Sequence, residues 1–253
     1  MSEEPLRLSV LGAGPAYTDR PGATGAAYLV SLGATRVLLD LGQGSFPRIF
    51  EHLRPEDLDA VAISHLHPDH FIDLVPLRHY LRYEFTPARR VRVLGPSQLA
   101  ARLDALHGWP GFTAESLETS TLGETAHGVG GLVLEARLVT HTDESYAIRV
   151  APAAGGPGLV YSGDCGRAED IAPLVRPGDG LLAEVSFGVG PAKGGAQHLD
   201  GPTVGRLATT TGAGRALLTH LQMGNDPEAT IAACRATYAG PVAMVWPGTM
   251  VEL

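Results

Sequence analysis

The chain has 253 residues, of which 44% are hydrophobic, which is enough for one large domain with its own core. Its apolar runs are too short to cross a membrane, and its first residues lack the basic and apolar segments of a signal peptide. Its two cysteines cannot form a disulfide framework. We therefore expect a cytoplasmic protein with no membrane partner. The net charge of −8 excludes general attraction to polyanions, and a nucleic-acid substrate would need a local basic patch.

The first half of the chain is rich in predicted strands. Residues 27–32 and 36–41 are strand-like runs joined by a short Gly-containing turn, which predicts a β-hairpin. Ser45 is the expected N-cap of a short helix, and Ser97 is the expected N-cap of a helix over 98–106. The other elements predicted here are strands at 6–11, 60–63 and 91–94 and a helix at 71–83.

The second half alternates strands and helices. Strands are predicted at 131–139, 146–150, 158–162, 180–185, 216–219 and 242–246. Helices are predicted at 168–174, 203–211 and 227–237. This pattern predicts an α/β fold in which two mixed sheets pack face to face with helices outside, a four-layer αββα sandwich. Because no break in composition suggests a linker, we expect residues 1–253 to form a single domain.

The densest group of metal-ligand residue types lies in residues 64–70, Ser-His-Leu-His-Pro-Asp-His. It directly follows the apolar run 60–63 and places His65, His67, Asp69 and His70 within six positions. Imidazole nitrogens and carboxylates suit zinc and the neighbouring transition metals. The segment therefore predicts a metal site at the end of a buried strand.

Three more ligand-type residues stand just past the ends of predicted strands. His141, Asp164 and His220 each appear where an apolar run stops. Residues on loops at strand ends are held by a rigid scaffold and can converge on one site. A coincidental set of surface histidines does not explain this repetition, so we treat the seven residues as one ligand set.

In their order and strand-end context, these residues resemble the metallo-β-lactamase-fold superfamily over nearly the whole chain. Asp40 is similar to the superfamily's Asp-bearing strand end. Within the superfamily, the chain most resembles the ribonuclease Z-like and related phosphodiesterase branch. The features shared with that branch are His70 closing the HxHxDH cluster, the Leu-Thr-His sequence ending at His220, and the pair Glu184 and His198.

The resemblance implies two divalent metal ions, zinc first, with manganese or iron as alternatives. It divides the seven ligands between the two ions, with one residue bridging them: His65, His67 and His141 for one ion, Asp69, His70 and His220 for the other, and Asp164 for both. A hydroxide shared by the ions would be the nucleophile. Catalytic roles are implied for Asp69 at the metals and for Glu184, which would orient His198 as general acid.

Several of these residues also have a purely structural explanation. Asp40 would either orient a ligand or cap a turn. His198 could serve only to cap the following helix, and Glu184 could be an ion-paired structural carboxylate. The Gly-rich loop 188–195 would contact substrate or act only as a connection. Cys165 is expected to be a small buried residue rather than a thiolate ligand.

Three functions fit the sequence. The first is hydrolysis of a phosphodiester, either a small cyclic or linear one or an RNA 3′ end. The net negative charge disfavours an RNA substrate. The lack of the long basic arm that the resemblance associates with tRNA processing also disfavours it. The second is hydrolysis of a carboxylic or sulfate ester, as in a lactonase, thioesterase or arylsulfatase-like enzyme. The third is a metal-bound regulatory or binding module. The expected partner is a small-molecule or nucleotide ester, and the fold also allows a homodimer.

Overall fold

The computed structural model describes residues 4–191 and 197–253, and over these ranges it contains fourteen strands and seven α-helices. The strands are β1 (Arg7–Gly12), β2 (Ala27–Leu32), β3 (Thr35–Leu39), β4 (Ala60–Ala62), β5 (Val91–Gly95), β6 (Leu117–Thr121), β7 (His127–Val129), β8 (Leu132–Leu138), β9 (Tyr146–Pro152), β10 (Leu159–Tyr161), β11 (Gly180–Glu184), β12 (Arg215–Thr219), β13 (Val242–Met244) and β14 (Met250–Glu252). The helices are α1 (Phe46–Ile49), α2 (Pro68–Phe71), α3 (Leu74–Tyr83), α4 (Leu99–His107), α5 (Ala168–Ile171), α6 (Gly201–Thr211) and α7 (Pro227–Arg235). Among the described residues, no helix is long and apolar enough to span a membrane.

The strands form two seven-stranded sheets. Their orders are β14-β1-β2-β3-β4-β5-β6 and β13-β12-β11-β10-β9-β8-β7. Strands β3 to β6 pair in parallel, as do β10 to β13, whereas the other neighbours are antiparallel. The predicted hairpin is confirmed as the β2–β3 pair. Parallel neighbours present their carboxyl ends at one edge, where ligand sites of α/β sheets form.

Three apolar clusters separate four layers. Alternation along β2 illustrates the arrangement, because Tyr28 and Val30 belong to the cluster between the sheets, whereas Ala27 and Leu29 face the cluster beneath α1, α3 and α4. A third cluster packs the outer face of the second sheet against α5 to α7. The predicted αββα sandwich is confirmed. Because the central cluster joins both sheets, it supports the proposal that residues 1–253 form one domain.

The N-cap position predicted for Ser45 is confirmed, although its side chain makes no capping hydrogen bond, and the N-cap predicted at Ser97 is wrong. Ser45 holds the N-cap position of α1, but its hydroxyl donates to the Gly42 carbonyl (2.5 Å), and the N–H of Phe46 donates to Asp73 (2.8 Å). Ser97 precedes the N-cap of α4, and its hydroxyl donates to a carboxylate oxygen of Glu144 (2.7 Å). In both cases a partner distant in the chain replaces the local hydrogen bond that the sequence pattern predicts.

Three strands lie where the sequence patterns predict none, and one helix begins later than predicted. The unpredicted strands β6, β7 and β14 are short and lie at sheet edges. Only one of the five residues of β6 is buried, so the strand lacks the apolar alternation that marks half-buried strands. The helix predicted over 71–83 starts only at Leu74, as α3, and Phe71 instead ends the separate short helix α2.

Candidate metal centre

The candidate site lies at the carboxyl edge of both sheets. Segment 64–70 follows β4, and Asp164 and His220 follow β10 and β12, each a member of a parallel group. His141 comes from the turn between β8 and β9. His220 has a left-handed backbone, with φ of 56°, an uncommon conformation that His tolerates better than most residues. The backbone therefore turns sharply at the point where this side chain leaves the strand.

Backbone hydrogen bonds hold Asp69 and His70, at the end of segment 64–70, in position. The carbonyl of Asp69 accepts a hydrogen bond from the Ala26 N–H (2.8 Å), and the carbonyl of His70 accepts one from the Leu41 N–H (2.7 Å). Gly42 passes so close that a Cβ atom there would lie 1.8 Å from the Asp69 carbonyl oxygen. Only glycine permits this approach, so Gly42 helps to set the position of Asp69.

Asp164 lies at the centre of the cluster with each carboxylate oxygen facing a different pair of histidines. Its Oδ2 lies 3.8 Å from Nε2 of His65 and 3.6 Å from Nε2 of His141. Its Oδ1 lies 3.4 Å from Nε2 of His70 and 3.5 Å from Nε2 of His220. The Asp164 side chain is 3% exposed, so these contacts form away from bulk water.

The remaining predicted ligands join the same two groups. His67, although exposed, places its Nδ1 3.1 Å from Nε2 of His141. Asp69 Oδ2 lies 3.2 Å from Nε2 of His220 and 3.5 Å from Nε2 of His70. Among the described residues, three groups have ligand atoms within 4.8 Å of one another: His65, His67, His141 and Asp164; Asp69, His70 and His220; and Asp164, His198 and His220. The structure brings together all seven residues predicted as ligands.

The donor atoms at the centre fit metal ions. Within the described part of the chain, His65 Nε2, His70 Nε2 and Asp164 Oδ1 are buried without a hydrogen-bond partner. Buried polar atoms normally have partners, because leaving them unpaired costs free energy. Convergent imidazole and carboxylate donors are the ligand set of zinc, and a metal ion would satisfy these atoms. The His/Asp cluster is therefore able to bind metal.

Hydrogen bonds to Nδ1 orient four of the histidine rings. The partners are the Ser64 hydroxyl for His65 (3.1 Å), the Asp40 carboxylate for His70 (2.7 Å), the Gln197 carbonyl for His141 (2.9 Å) and the Ser186 hydroxyl for His220 (3.1 Å). Such contacts leave Nε2 free to coordinate metal. Sequence reasoning missed Ser64 and Ser186. Their only signal is position, one residue before His65 and two residues after Glu184.

Through its carboxylate, Asp40 makes four hydrogen-bond contacts in support of the site. It is fully buried, has a φ of 58°, and accepts hydrogen bonds from the Ser64 N–H (2.6 Å) and hydroxyl (2.7 Å) and from the Tyr161 hydroxyl (2.7 Å), besides its contact with His70. Burial, together with the negative charge of Asp40, raises the pKa of Tyr161 well above its usual value, so this hydroxyl stays protonated and donates. These contacts favour the orienting role of Asp40 over turn capping.

Replacing Asp40 with asparagine is expected to weaken zinc binding by about 10- to 100-fold, because His70 loses the carboxylate that orients its ring. Competition with a chromophoric chelator would measure the affinity. Asp59→Asn is the matched control, since the exposed Asp59 carboxylate lies outside the site and, in the described part of the chain, accepts only the Arg36 N–H (2.7 Å). Equal zinc affinity in the two variants would contradict the orienting role.

Burial and neighbouring charges shift the pKa values of several groups in the cluster. Burial lowers the pKa of His65 well below its usual value, and the neighbouring His70 lowers it further. Burial also acts to lower the pKa of His70, but the carboxylates of Asp164 and Asp40 prevail and hold it well above the usual value. For Asp164, burial acts to raise the pKa, whereas His220 and His70 hold it well below its usual range. The centre thus stabilises positive charge around an ionised Asp164.

Glu184 and His198 form a hydrogen-bonded pair beside the ligands. His198 Nδ1 lies 2.9 Å from Glu184 Oε1, which also accepts the Cys165 N–H (3.0 Å). Glu184 Oε2 accepts the N–H (3.1 Å) and hydroxyl (2.6 Å) of Ser186. Burial acts to lower the pKa of His198, but the hydrogen bond to Glu184 prevails and raises it. The rings of His198 and His220 are stacked, with their centroids 6.1 Å apart.

Two other sequence predictions concern the neighbourhood of this pair. Cys165 is fully buried, and burial raises the pKa of its thiol to about 12, which fits a small buried residue rather than a thiolate ligand. Of the predicted substrate loop 188–195, residues 192–195 lie outside the described ranges. A role of this loop in substrate contact stays a prediction.

A cavity of about 310 Å³ opens over the centre. His67, Asp69, Asp164, His198 and His220 line one side of it. The rest of its lining is Pro15, Ala16, Tyr17, Pro68 and Gln222, so its described walls contain neither Lys nor Arg. A neighbouring cavity of about 300 Å³ also reaches His67 and includes a single arginine with two acidic residues.

Comparisons with known proteins place this site in a family context. Residues 35–221 match the family model of the β-lactamase superfamily domain. An uncharacterized protein of Mycobacterium leprae is 32% identical over 257 residues, covering 98% of this chain and 89% of that protein. The probable metallo-hydrolase YhfI of Bacillus subtilis is 26% identical over 223 residues, covering 85% of this chain and 87% of that protein.

Solved structures share the fold of this chain. The crystal structure of YhfI, described as a metallo-β-lactamase fold protein, matches with a TM-score of 0.88 at 22% identity and covers 99% of this chain and 100% of that one. The crystal structure of the short form of human tRNase Z matches with a TM-score of 0.72 at 19% identity and covers 97% of this chain and 98% of that one.

Proposed function

The chain belongs to the β-lactamase superfamily and is a metallo-hydrolase of the metallo-β-lactamase fold, and from this premise we propose that it hydrolyses phosphodiesters with two divalent metal ions. The observation that carries the proposal is the placement of the Asp164 carboxylate. Its two oxygens face different pairs of histidines. A carboxylate so placed can bind two cations at once and offset their mutual repulsion.

Each ion would have its own protein ligands. We assign His65, His67 and His141 to one ion, Asp69, His70 and His220 to the other, and Asp164 to both. Zinc is the first choice because its usual ligands are those of this site, and manganese and iron accept them too. When bound, such ions lower the pKa of a coordinated water and offset negative charge on phosphoryl oxygens.

His198 and Glu184 supply the proton for the leaving group in this proposal. Glu184 occupies Nδ1 of His198, so Nε2 is the nitrogen left for the substrate, and His198 lines the cavity over the centre. The raised pKa keeps a larger fraction of this imidazole protonated near neutral pH. A protonated imidazole next to the scissile bond can donate to the departing oxygen. Asp69, at the edge of the same cavity, would act through the metals.

The cavity favours a small phosphodiester over RNA. It measures about 310 Å³ and has no basic residue in its described lining, whereas binding of a nucleic-acid backbone depends on Lys and Arg contacts to phosphates. A small cyclic or linear phosphodiester would place its phosphoryl group over the centre and an apolar or aromatic group against Tyr17. A cytoplasmic location accords with such a substrate and stays part of the proposal.

A substrate panel tests the proposal directly. With zinc or manganese bound, we expect kcat/KM for bis-p-nitrophenyl phosphate and small nucleotide diesters to exceed that for p-nitrophenyl acetate, p-nitrophenyl sulfate and lactones by at least about tenfold. Faster turnover of a lactone, thioester or sulfate would instead make the protein an ester hydrolase of that kind. Full metal binding without turnover of any substrate would support a regulatory or binding module. Faster cleavage of a precursor tRNA than of small diesters would show that RNA is the preferred substrate.

A further inference from the structure

A second cavity, with a mainly apolar lining and two arginines, lies apart from the metal centre. It has a volume of about 450 Å³ and shares no lining residue with the cavity over the centre. Two arginines, Arg20 and Arg48, line it together with Trp246. These residues come from three separate segments, namely the loop before β2, helix α1 and the turn after β13. Two arginines lining one cavity are notable in a chain of net charge −8.

Arg20 is held in place without a carboxylate. Its NH1 donates to the Leu221 carbonyl (2.8 Å) and its NH2 to the Asn225 carbonyl (3.2 Å). Its guanidinium lies 5.3 Å from the centre of the Trp246 ring, a cation–π distance. Over the described ranges, these contacts use only two of its five N–H donors and leave its positive charge unpaired.

Arg48 also retains unused donors. Its NH2 contacts Glu51 (3.1 Å), whose side chain is 51% exposed, and its Nε is buried without a hydrogen-bond partner among the residues that the structure describes. An exposed ion pair of this kind is weak because water and salt screen it. The buried unpaired N–H, by contrast, carries a free-energy cost that an acceptor would remove.

We propose that this cavity, the Arg20–Arg48 pocket, binds the phosphate group of an anionic ligand. Guanidinium groups donate parallel hydrogen bonds that match phosphate oxygens, and charge-assisted bonds of this type are the strong ones. The fixed position of Arg20 on Trp246 reduces the side-chain entropy lost on binding. The phosphate could come from free inorganic phosphate or from a nucleoside monophosphate, and both present the same dianionic group.

The two tryptophans of the chain, Trp109 and Trp246, provide a local reporter. In metal-loaded Trp109→Phe protein, Trp246 is the remaining tryptophan and can be excited selectively over the tyrosines, and its ring contacts Arg20. We expect inorganic phosphate and adenosine monophosphate to change this fluorescence, and calorimetry to give a dissociation constant below about 1 mM for at least one of them. A nucleotide that binds much more tightly than phosphate would identify the nucleotide as the source.

Arg48→Gln is the main test variant, because Arg20 supports the 221–225 loop and its removal could disturb that loop. We expect Arg48→Gln to weaken binding at least about tenfold, through loss of a charge-assisted contact. Glu51→Gln should tighten binding, since it removes the competing carboxylate. Arg7→Gln is the control, because Arg7 forms an exposed pair with Glu252 outside the pocket (3.1 Å).

Phosphate binding at the metal centre would be common to all these proteins, so only the difference between variants reports on the pocket. If Arg48→Gln bound both ligands with the parent's affinity and stoichiometry, the proposal would be overturned. The same holds if Arg7→Gln weakened binding as much as Arg48→Gln. Because these readouts need no turnover, they stand whether or not the protein hydrolyses phosphodiesters.

Discussion

Replacing Asp164 with alanine is expected to leave at most one metal ion per chain and to lower the rate on bis-p-nitrophenyl phosphate at least about a thousandfold. The reason is that the two Asp164 oxygens face separate histidine pairs, 3.4 to 3.8 Å away, so in the proposed two-ion site one substitution removes a ligand of both ions. Elemental analysis of dialysed protein gives the metal count, and initial rates give the loss of activity.

Asp164→Asn adds a volume-matched comparison. The amide keeps the shape of the side chain but loses its negative charge, so we expect it to resemble Asp164→Ala in metal content. Asp59→Asn, at an exposed carboxylate outside the site, should retain both metal and rate. Retention of two metal ions and the full rate by Asp164→Ala would show that the bridging assignment is wrong.

Replacing His198 with alanine is expected to lower kcat by about 10²- to 10⁴-fold on diesters with an alkoxide leaving group and to leave the metal content unchanged. On p-nitrophenyl diesters the loss should be much smaller, because p-nitrophenolate departs without a proton. The contact behind this expectation is the one between Nδ1 of His198 and Oε1 of Glu184, at 2.9 Å. Rates on a series of leaving groups would measure it.

Glu184→Gln should change the rates in the same direction as His198→Ala but less strongly. Glutamine can still accept the Nδ1–H of His198, yet it no longer supplies the charge that raises the His198 pKa. Loss of metal in His198→Ala would make His198 a ligand, in keeping with its distance of 3.9 Å from Asp164 Oδ2. An equal loss of rate on all leaving groups would contradict the general-acid role.

Local sequence signals predicted the elements that run through the core. The hairpin of β2 and β3 and the strand ahead of segment 64–70 were predicted because their apolar patterns report directly on burial. The edge strands β6, β7 and β14 have no such pattern, since much of their surface faces water. Ser45 holds its predicted N-cap position, but neither serine makes a capping hydrogen bond, because Asp73 accepts the Phe46 N–H and Glu144 accepts the Ser97 hydroxyl, both from distant parts of the sequence.

The sequence by itself determined which residues converge on the centre. Histidine and aspartate placed at the ends of apolar runs are a local signal, and the carboxyl ends of parallel strands share an edge, so the seven ligand-type residues could be named without coordinates. Only the tertiary structure decided how each Asp164 oxygen is directed, and which of Asp40, Ser64 and Ser186 orients which histidine.

The contacts that only the tertiary structure reveals join residues that lie far apart in the sequence. Ser186 reaches His220 from the end of a neighbouring strand, and Arg20, Arg48 and Trp246 meet from segments up to 226 residues apart. Side-chain hydrogen bonds and cavity walls depend on distances of a few tenths of an ångström, which no spacing along the chain encodes. The cavity over the metal centre, which bears most directly on substrate size, is a property of the packed fold alone.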